Sequence, residues 1–120
     1  MITVSFSSDA TVRTCERRWF LGSIVAHPTA NKDLIRREAR LLRQLVYPEA
    51  WAGKIIHSTL EDIVVPAVRE DGRLPNSDKI LAHALDLMQR QAEFSRKRLY
   101  RTISKSKAGK DFCALYADEY

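Results

Sequence analysis

The spacing of apolar residues limits this chain to a helical fold. After residue 6 no stretch alternates apolar and polar positions for long, and apolar residues recur every three or four positions. That interval is the period of an amphipathic helix. Only residues 2–6 alternate, which predicts a short strand or an extended arm there. We therefore predict a mainly α fold of four to five helices behind a short extended N-terminal segment.

Cap and turn residues set the predicted boundaries of these helices. Gly22 is the expected C-cap of the first helix, Asn31 caps the second, and Pro48 ends the second and suits the first turn of the third. Pro66 is expected to kink the third helix or end it early. The predicted helices are 9–21, 32–47, 49–70 and 78–103, with a loop over 22–30, a turn over 70–76, a loop over 104–110 and a short final element of undecided type over 111–119.

Each predicted helix has an apolar face that should form the core. The expected core residues are Val12, Cys15, Trp19 and Phe20 in the first helix, Leu34, Leu41, Leu42, Leu45 and Val46 in the second, Trp51, Ile55, Ile56, Leu60, Val64 and Val68 in the third, and Ile80, Leu81, Ala84, Leu85, Met88, Ala92 and Leu99 in the fourth.

Length and composition exclude several classes of protein. A chain of 120 residues is expected to form one domain, residues 1–120, or an N-terminal fragment of a larger one. It has no apolar run long enough to span a membrane and no signal peptide at its start, so we expect a cytoplasmic protein with no membrane partner. Its two cysteines, Cys15 and Cys113, are expected to be free thiols, and their spacing argues against a zinc finger.

The stretch from Gly53 to Glu61 contains the first candidate site. Gly53, His57 and Glu61 are each four residues apart, so they lie on one side of a helix. A glycine inside a helix costs about 1 kcal/mol relative to alanine, and its presence suggests that something lies close against the helix. His57 and Glu61 together could bind a divalent metal, with the imidazole pointing inward toward an open, charged space. The alternative is an ordinary histidine packed on the helix and hydrogen-bonded to Glu61.

A run of basic residues near the C-terminus forms the second candidate site. Glu93 is the only acidic residue between positions 90 and 110, and Phe94 and Tyr100 are interleaved with the basic ones. Phosphate is the natural partner of such a run. A solvated helix face is the alternative. The basic residues are Arg90, Arg96, Lys97, Arg98, Arg101, Lys105, Lys107 and Lys110.

A smaller candidate site lies in the first helix. Arg17 and Arg18 stand beside Trp19 and Phe20, and such a group can clamp a phosphate and stack a base. The alternative is an amphipathic helix with a buried tryptophan and solvated arginines. Cys15 has no histidine near it in the sequence, which argues against a nucleophilic role.

Taken in order, three segments resemble the N-terminal part of a RecB-like nuclease of the PD-(D/E)XK superfamily. Ser5-Phe6-Ser7 followed by Cys15-Glu16-Arg17-Arg18-Trp19-Phe20-Leu21 resembles the family's first helix. Gly53-x-x-x-His57-x-x-Leu60-Glu61 is similar to its Gly-x-x-x-His-x-x-Leu-Glu helix. Leu115-Tyr116-Ala117-Asp118-Glu119-Tyr120 resembles the segment that leads into its first core strand.

The resemblance implies that His57 is a ligand of a catalytic Mg²⁺ or Mn²⁺ ion. It also implies an Asp and a Glu-x-Lys on core strands, and this sequence contains no Asp-x-Lys or Glu-x-Lys. We therefore expect the chain alone to cut nothing, as a truncated gene or as a remnant that lost catalysis. Some relatives carry an iron–sulfur cluster on four cysteines, which two cysteines cannot build.

Three functional hypotheses follow. The first is the N-terminal part of a DNA nuclease, with a missing C-terminal core. The second is a small helical module that binds nucleic acid through residues 90–110. The third is a helical scaffold that docks on a protein partner through exposed apolar faces.

Overall fold

The computed structural model describes residues 6–27 and 33–120. They form helices and connecting segments with no strand among them, so the prediction of a mainly α fold is confirmed for this part of the chain. The chain divides into two compact units, Met1–Gln44 and Leu45–Tyr120. The expectation of one helical domain over residues 1–120 stays a prediction. None of the helices within the described ranges is both long and apolar enough to cross a membrane.

The described residues of the first unit form three α-helices and a π-helical segment. They are α1 (Phe6–Thr14), α2 (Glu16–Trp19), the π-helical Phe20–Val25 and α3 (Leu34–Arg43). Extended backbone at Cys15 separates α1 from α2, so the continuous helix predicted over 9–21 is wrong. Asp33 caps α3, since its carboxylate accepts a hydrogen bond of 2.9 Å from the N–H of Ile35. The predicted arm over 2–5 and the predicted cap Asn31 lie outside the described residues.

The prediction of Gly22 as a C-cap is wrong, because Gly22 lies inside the π-helical segment, which ends at Val25. Arg43 donates to the carbonyl oxygen of Gly22 at 2.6 Å, and Arg36 donates to that of Ile24 at 2.9 Å. The carbonyls at a helix end have no partner within the helix and carry partial negative charge. The two guanidinium groups therefore attach α3 to the π-helical segment.

The second unit is built on two long helical runs. The first comprises α4 (Pro48–Thr59), a π-helical segment (Leu60–Val64) and α5 (Val65–Asp71). The second run is α6 (Ser77–Arg96). The turn at 72–76 joins them, as predicted, with Gly72 at φ 66°. Trp51 contacts Gln91, and Asp62 lies near His83, so residue numbers rise in one run as they fall in the other. The two runs are therefore antiparallel.

The chain turns sharply after α6 and does not continue as a helix to residue 103. Arg98 has left-handed backbone at φ 54°, which costs a non-glycine residue about 1 kcal/mol. Its guanidinium Nε donates to the carbonyl oxygen of Asp118 at 2.9 Å. The elements that follow are a 3₁₀ turn (Leu99–Arg101), α7 (Lys105–Ala108), a second 3₁₀ turn (Gly109–Asp111) and α8 (Tyr116–Glu119). Residues 104–110 were thus wrongly predicted to be a loop.

The core of the second unit differs from the predicted stripe on α6. Leu87, at 1 % exposure, is buried but was not predicted, and Phe94 and Ser95 are buried too. Leu81 and Leu85 were predicted to be buried but are exposed, as are Ile56, Leu60 and Val68 on the first run. In the first unit, the predicted core residues Phe20, Leu34 and Leu42 are exposed and Cys15 is too. The prediction of Ile55 as a core residue is confirmed.

A buried serine attaches the C-terminal segment to α6. The hydroxyl of Ser95 donates to the carboxylate of Asp118 at 2.5 Å and accepts from the N–H of Leu115 at 2.8 Å. Beside it, the backbone is extended at Phe112 and Leu115, and Val46 and Leu115 form an isolated parallel bridge. The element predicted over 111–119 is therefore extended at its start and helical at its end.

Glu119 makes the second attachment of this segment. Its carboxylate accepts a hydrogen bond from the hydroxyl of Tyr100 at 2.6 Å and pairs with the guanidinium of Arg101. The hydrogen bonds from Arg101 and Tyr100 lower the pKa of Glu119 to about 2. Burial and the same hydrogen bond raise the pKa of Tyr100 to about 12. Both shifts favour an ionised carboxylate beside a neutral phenol.

Replacing Glu119 with glutamine should remove this charge and keep an oxygen that accepts from Tyr100. The pKa of Glu119 falls from its ordinary 4.5 to about 2 on folding. Its stabilisation is therefore complete above pH 4.5 and is lost as the pH falls toward 2. We expect Glu119→Gln to lower the free energy of unfolding by about 1–3 kcal/mol at neutral pH.

Urea unfolding of both proteins across this pH range tests the prediction. The difference between them should shrink as the pH approaches 2. A difference that stays constant over the range would show that the charge of Glu119 does not stabilise the fold.

Candidate functional site

His57 and Glu61 lie together on an open face of the first helical run. The Nε2 atom of His57 is 3.0 Å from a carboxylate oxygen of Glu61, and the imidazole side chain is 75 % exposed. The expectation of an inward-pointing ring is wrong. Ile55 and Thr59 are buried, and His57 lies about 200° around the helix from Ile55.

Glu61 lies in the π-helical segment, whose origin is Pro66. A proline has no N–H to donate to the carbonyl four residues earlier, and its ring collides with that carbonyl in a regular helix. Here the helix widens over Leu60–Val64, and the N–H of Val65 bonds to the carbonyl of Leu60, five residues back. Short π-helical stretches inside α-helices are frequent at functional sites. Pro66 thus widens the helix instead of ending it.

Gly53 completes the row of three residues and has open space beside it. A Cβ atom built on Gly53 would meet nothing within 4 Å. The predicted close neighbour is therefore not found among the described residues. Gly53 leaves the helix surface one turn before His57 accessible from solvent.

Metal ligands are sparse at this site. In residues 6–27 and 33–120, no group of three or more His, Cys, Asp or Glu side chains is placed to hold a metal ion. His57 and Glu61 contribute one nitrogen and one carboxylate, and both donor types bind Mn²⁺. They fit a divalent ion as part of a larger ligand set.

Most of the predicted nucleic-acid-binding residues of the second unit also contact acidic or carbonyl groups of the protein. Arg96 and Lys97 both pair with Glu93, the latter at 3.1 Å. Arg98 binds a backbone carbonyl and Arg101 pairs with Glu119. Arg96 and Lys97 nevertheless keep exposed side chains at 72 % and 60 %. Glu93 partly neutralises the positive charge of Arg96 and Lys97, but both side chains remain accessible to solvent.

Lys105 differs from the other predicted residues of this surface. It is exposed in the first turn of α7, and no carboxylate partner for it is present in the described part of the chain. Ser104 fixes α7 by capping it. Arg17 and Arg18 are likewise exposed, but they belong to α2 of the first unit.

One polar cluster joins Lys110, a residue of the predicted basic run, to Asp62 and His83, to which the sequence assigned no role. Lys110 pairs with Asp62, which lowers the pKa of that carboxyl group below its usual value. The Nε2 atom of His83 lies 3.6 Å from the other oxygen of Asp62 and makes no hydrogen bond to a described residue. Three elements far apart in the sequence meet here, and no local pattern could have indicated the cluster.

The two cysteines have different environments. Cys15 is exposed in the first unit, whereas Cys113 is buried in the second. Burial raises the pKa of the Cys113 thiol to about 11, so this group is a poor nucleophile.

Comparison of the chain with family models, with curated proteins and with solved structures gives no match.

Gly53→Ala should stabilise the protein, because the methyl group would enter open space in a helix interior. We expect the free energy of unfolding to rise by up to about 1 kcal/mol. Gly72→Ala is the matched control. It should lower stability by about 1 kcal/mol, since Gly72 has φ 66°. Thermal unfolding of both variants is the measurement, and a destabilised Gly53→Ala protein would contradict this description of the site.

Proposed function

We propose that this chain is the helical N-terminal part of a RecB-like, metal-dependent DNA nuclease, inactive when alone. In this proposal α4 presents His57 to a catalytic Mg²⁺ or Mn²⁺ ion, and a nuclease core outside this sequence supplies the other ligands. The basic surface formed by Arg96, Lys97, Arg98, Arg101 and Lys105 contributes to DNA binding, together with Arg17 and Arg18 of the first unit. A cytoplasmic location is part of the same proposal.

The observation that carries this proposal is the geometry of His57 and Glu61. The Nε2 atom of His57 and a carboxylate oxygen of Glu61 are 3.0 Å apart on an exposed helix face, so an ion approaching from solvent can reach both. Two ligands are too few for Mg²⁺, which prefers octahedral coordination by oxygen atoms. A divalent ion held partly by His57 and Glu61 would supply Lewis-acid chemistry, the polarisation of a phosphodiester and the activation of water. The role of this chain in the proposal is to hold the imidazole of His57 in place.

A protein-binding role is the second candidate, and exposed apolar residues favour it. Ile56 and Leu60 each follow a buried residue, and Leu81 and Leu85 each follow a half-buried one, Ile80 and Ala84. In a right-handed helix each residue is rotated by about 100° from the one before it. Because the two helical runs are antiparallel, a residue that comes directly after an inward-facing residue lies on the same side of the pair in both runs. These four side chains thus belong to one side, where a partner or the nuclease core would pack.

Binding of Mn²⁺ should affect one histidine selectively. The chain has only three histidines, so their imidazole proton signals can be followed separately by NMR. We expect substoichiometric Mn²⁺ to broaden the His57 signal before those of His27 and His83, and Glu61→Gln to weaken this selectivity. His57→Ala assigns the signal. Simultaneous broadening of all three signals would contradict a metal site at His57.

Duplex DNA should bind in a strongly salt-dependent manner. Each phosphate contact contributes about one unit to the slope of log K against log salt. Replacing Arg96 and Lys97 with serine should therefore reduce the slope by up to about two. Glu93→Gln should raise the affinity, because Glu93 pairs with both residues. Lys79→Ser, at the other end of α6, is the control. Affinity that does not change with salt would argue against DNA binding and for the protein-binding role.

A further inference from the structure

Three tyrosines form an exposed aromatic stack at the C-terminal end of the second unit. The ring centroids of Tyr47 and Tyr116 are 5.1 Å apart, and those of Tyr116 and Tyr120 are 4.9 Å apart. Tyr47 is 60 %, Tyr116 41 % and Tyr120 74 % exposed. With these exposures, ring surface of all three tyrosines is open to a ligand.

The backbone holds these rings together. Tyr47 immediately precedes α4, and its neighbour Val46 bonds to the segment before α8: the N–H of Val46 donates to Ala114 at 2.8 Å, and the N–H of Tyr116 donates to Val46 at 3.0 Å. Tyr116 and Tyr120 are four residues apart at the single turn of α8, which places them on one side of it. The stack is therefore fixed to the second unit before any ligand binds.

The charges around the stack favour an anionic ligand. The two carboxylates of α8 are already engaged, Asp118 by Ser95, and Glu119 by Tyr100 and Arg101. A cation lies at the same segment: the guanidinium of Arg98 donates to the carbonyl oxygen of Asp118 at 2.9 Å. The two carboxylates of α8 are thus engaged by other side chains, and Arg98 places a positive charge at the same segment.

We propose that Tyr47, Tyr116 and Tyr120 form a stacking platform for the bases of single-stranded nucleic acid. Aromatic rings beside cations are the recurring design of proteins that bind single strands, because every base has a flat face and every nucleotide a phosphate. Paired bases inside a duplex do not expose their faces. The platform rests on the proposed nucleic-acid role and adds to it a preference for unpaired strands. A proline-rich peptide also packs on aromatic rings, but it lacks the charge that this surface complements.

The experiment measures binding of the full chain to a fluorescent oligo-dT strand and to a matched DNA duplex. The double variant Tyr47→Leu/Tyr116→Leu keeps apolar side chains and removes the rings, and Tyr47→Phe/Tyr116→Phe is the control that keeps them. We expect the leucine variant to lose about tenfold or more in affinity for oligo-dT. The affinity of the leucine variant for the duplex should stay within about twofold of that of the original protein. The phenylalanine variant should stay within the same range for both ligands.

An independent measurement uses the unmodified sequence, so it does not depend on the folding of a variant. Photocrosslinking to an oligonucleotide that contains 5-iodouracil, followed by mass spectrometry, should place crosslinks on Tyr47, Tyr116 or Tyr120. Crosslinks only elsewhere, an unchanged oligo-dT affinity in the leucine variant, or displacement of the strand by a proline-rich peptide would overturn the platform. If one of these results overturns the platform but salt-dependent duplex binding persists, the proposed function stands without the platform. Absence of salt-dependent binding to either DNA would overturn both.

Discussion

The second unit depends on one buried amide. The side-chain oxygen of Gln91 accepts from the indole N–H of Trp51 at 2.8 Å, and its nitrogen donates to the carbonyl of Lys110 at 2.7 Å. A single side chain of α6 thereby joins α4 to the segment that leads to the C-terminus. Because both ends of the amide are satisfied, its burial is not costly, whereas losing either partner would leave a polar group without a hydrogen bond.

The hydrogen bonds of Gln91 explain why the buried side of α6 is not its most apolar side. Gln91 and Ser95 are buried together with Leu87 and Phe94, and Phe94 packs on Phe112 at 5.6 Å between ring centroids. Two polar residues thus turn inward, since the C-terminal segment supplies their partners. Leu81 and Leu85 remain in solvent as a consequence. The exposed apolar side of the helix pair and the polar core are two results of the same packing arrangement.

The candidate site and the core share the first helical run but use opposite parts of its surface. Ile55 and Thr59 pack inward, which leaves Gly53 and His57 on the outside. Pro66 adds the π-helical segment, so Glu61 and Asp62 follow the histidine in a widened turn. Glu61 stays beside His57, whereas Asp62 pairs with Lys110. Two adjacent carboxylates therefore have separate roles, one at the open site and one in an attachment of the C-terminal segment.

Local sequence determined the helical class, the start at Pro48, the turn at Gly72 and the pairing of His57 with Glu61. Each of these depends on residues within about one turn of one another, where backbone sterics and side-chain spacing act directly. Tertiary structure alone decided the side of α6 that is buried, the end of α6 near Arg98, and the stack of Tyr47 on Tyr116. Those features need partners far away in the sequence, and no periodicity encodes which distant carbonyl, carboxylate or ring will be available.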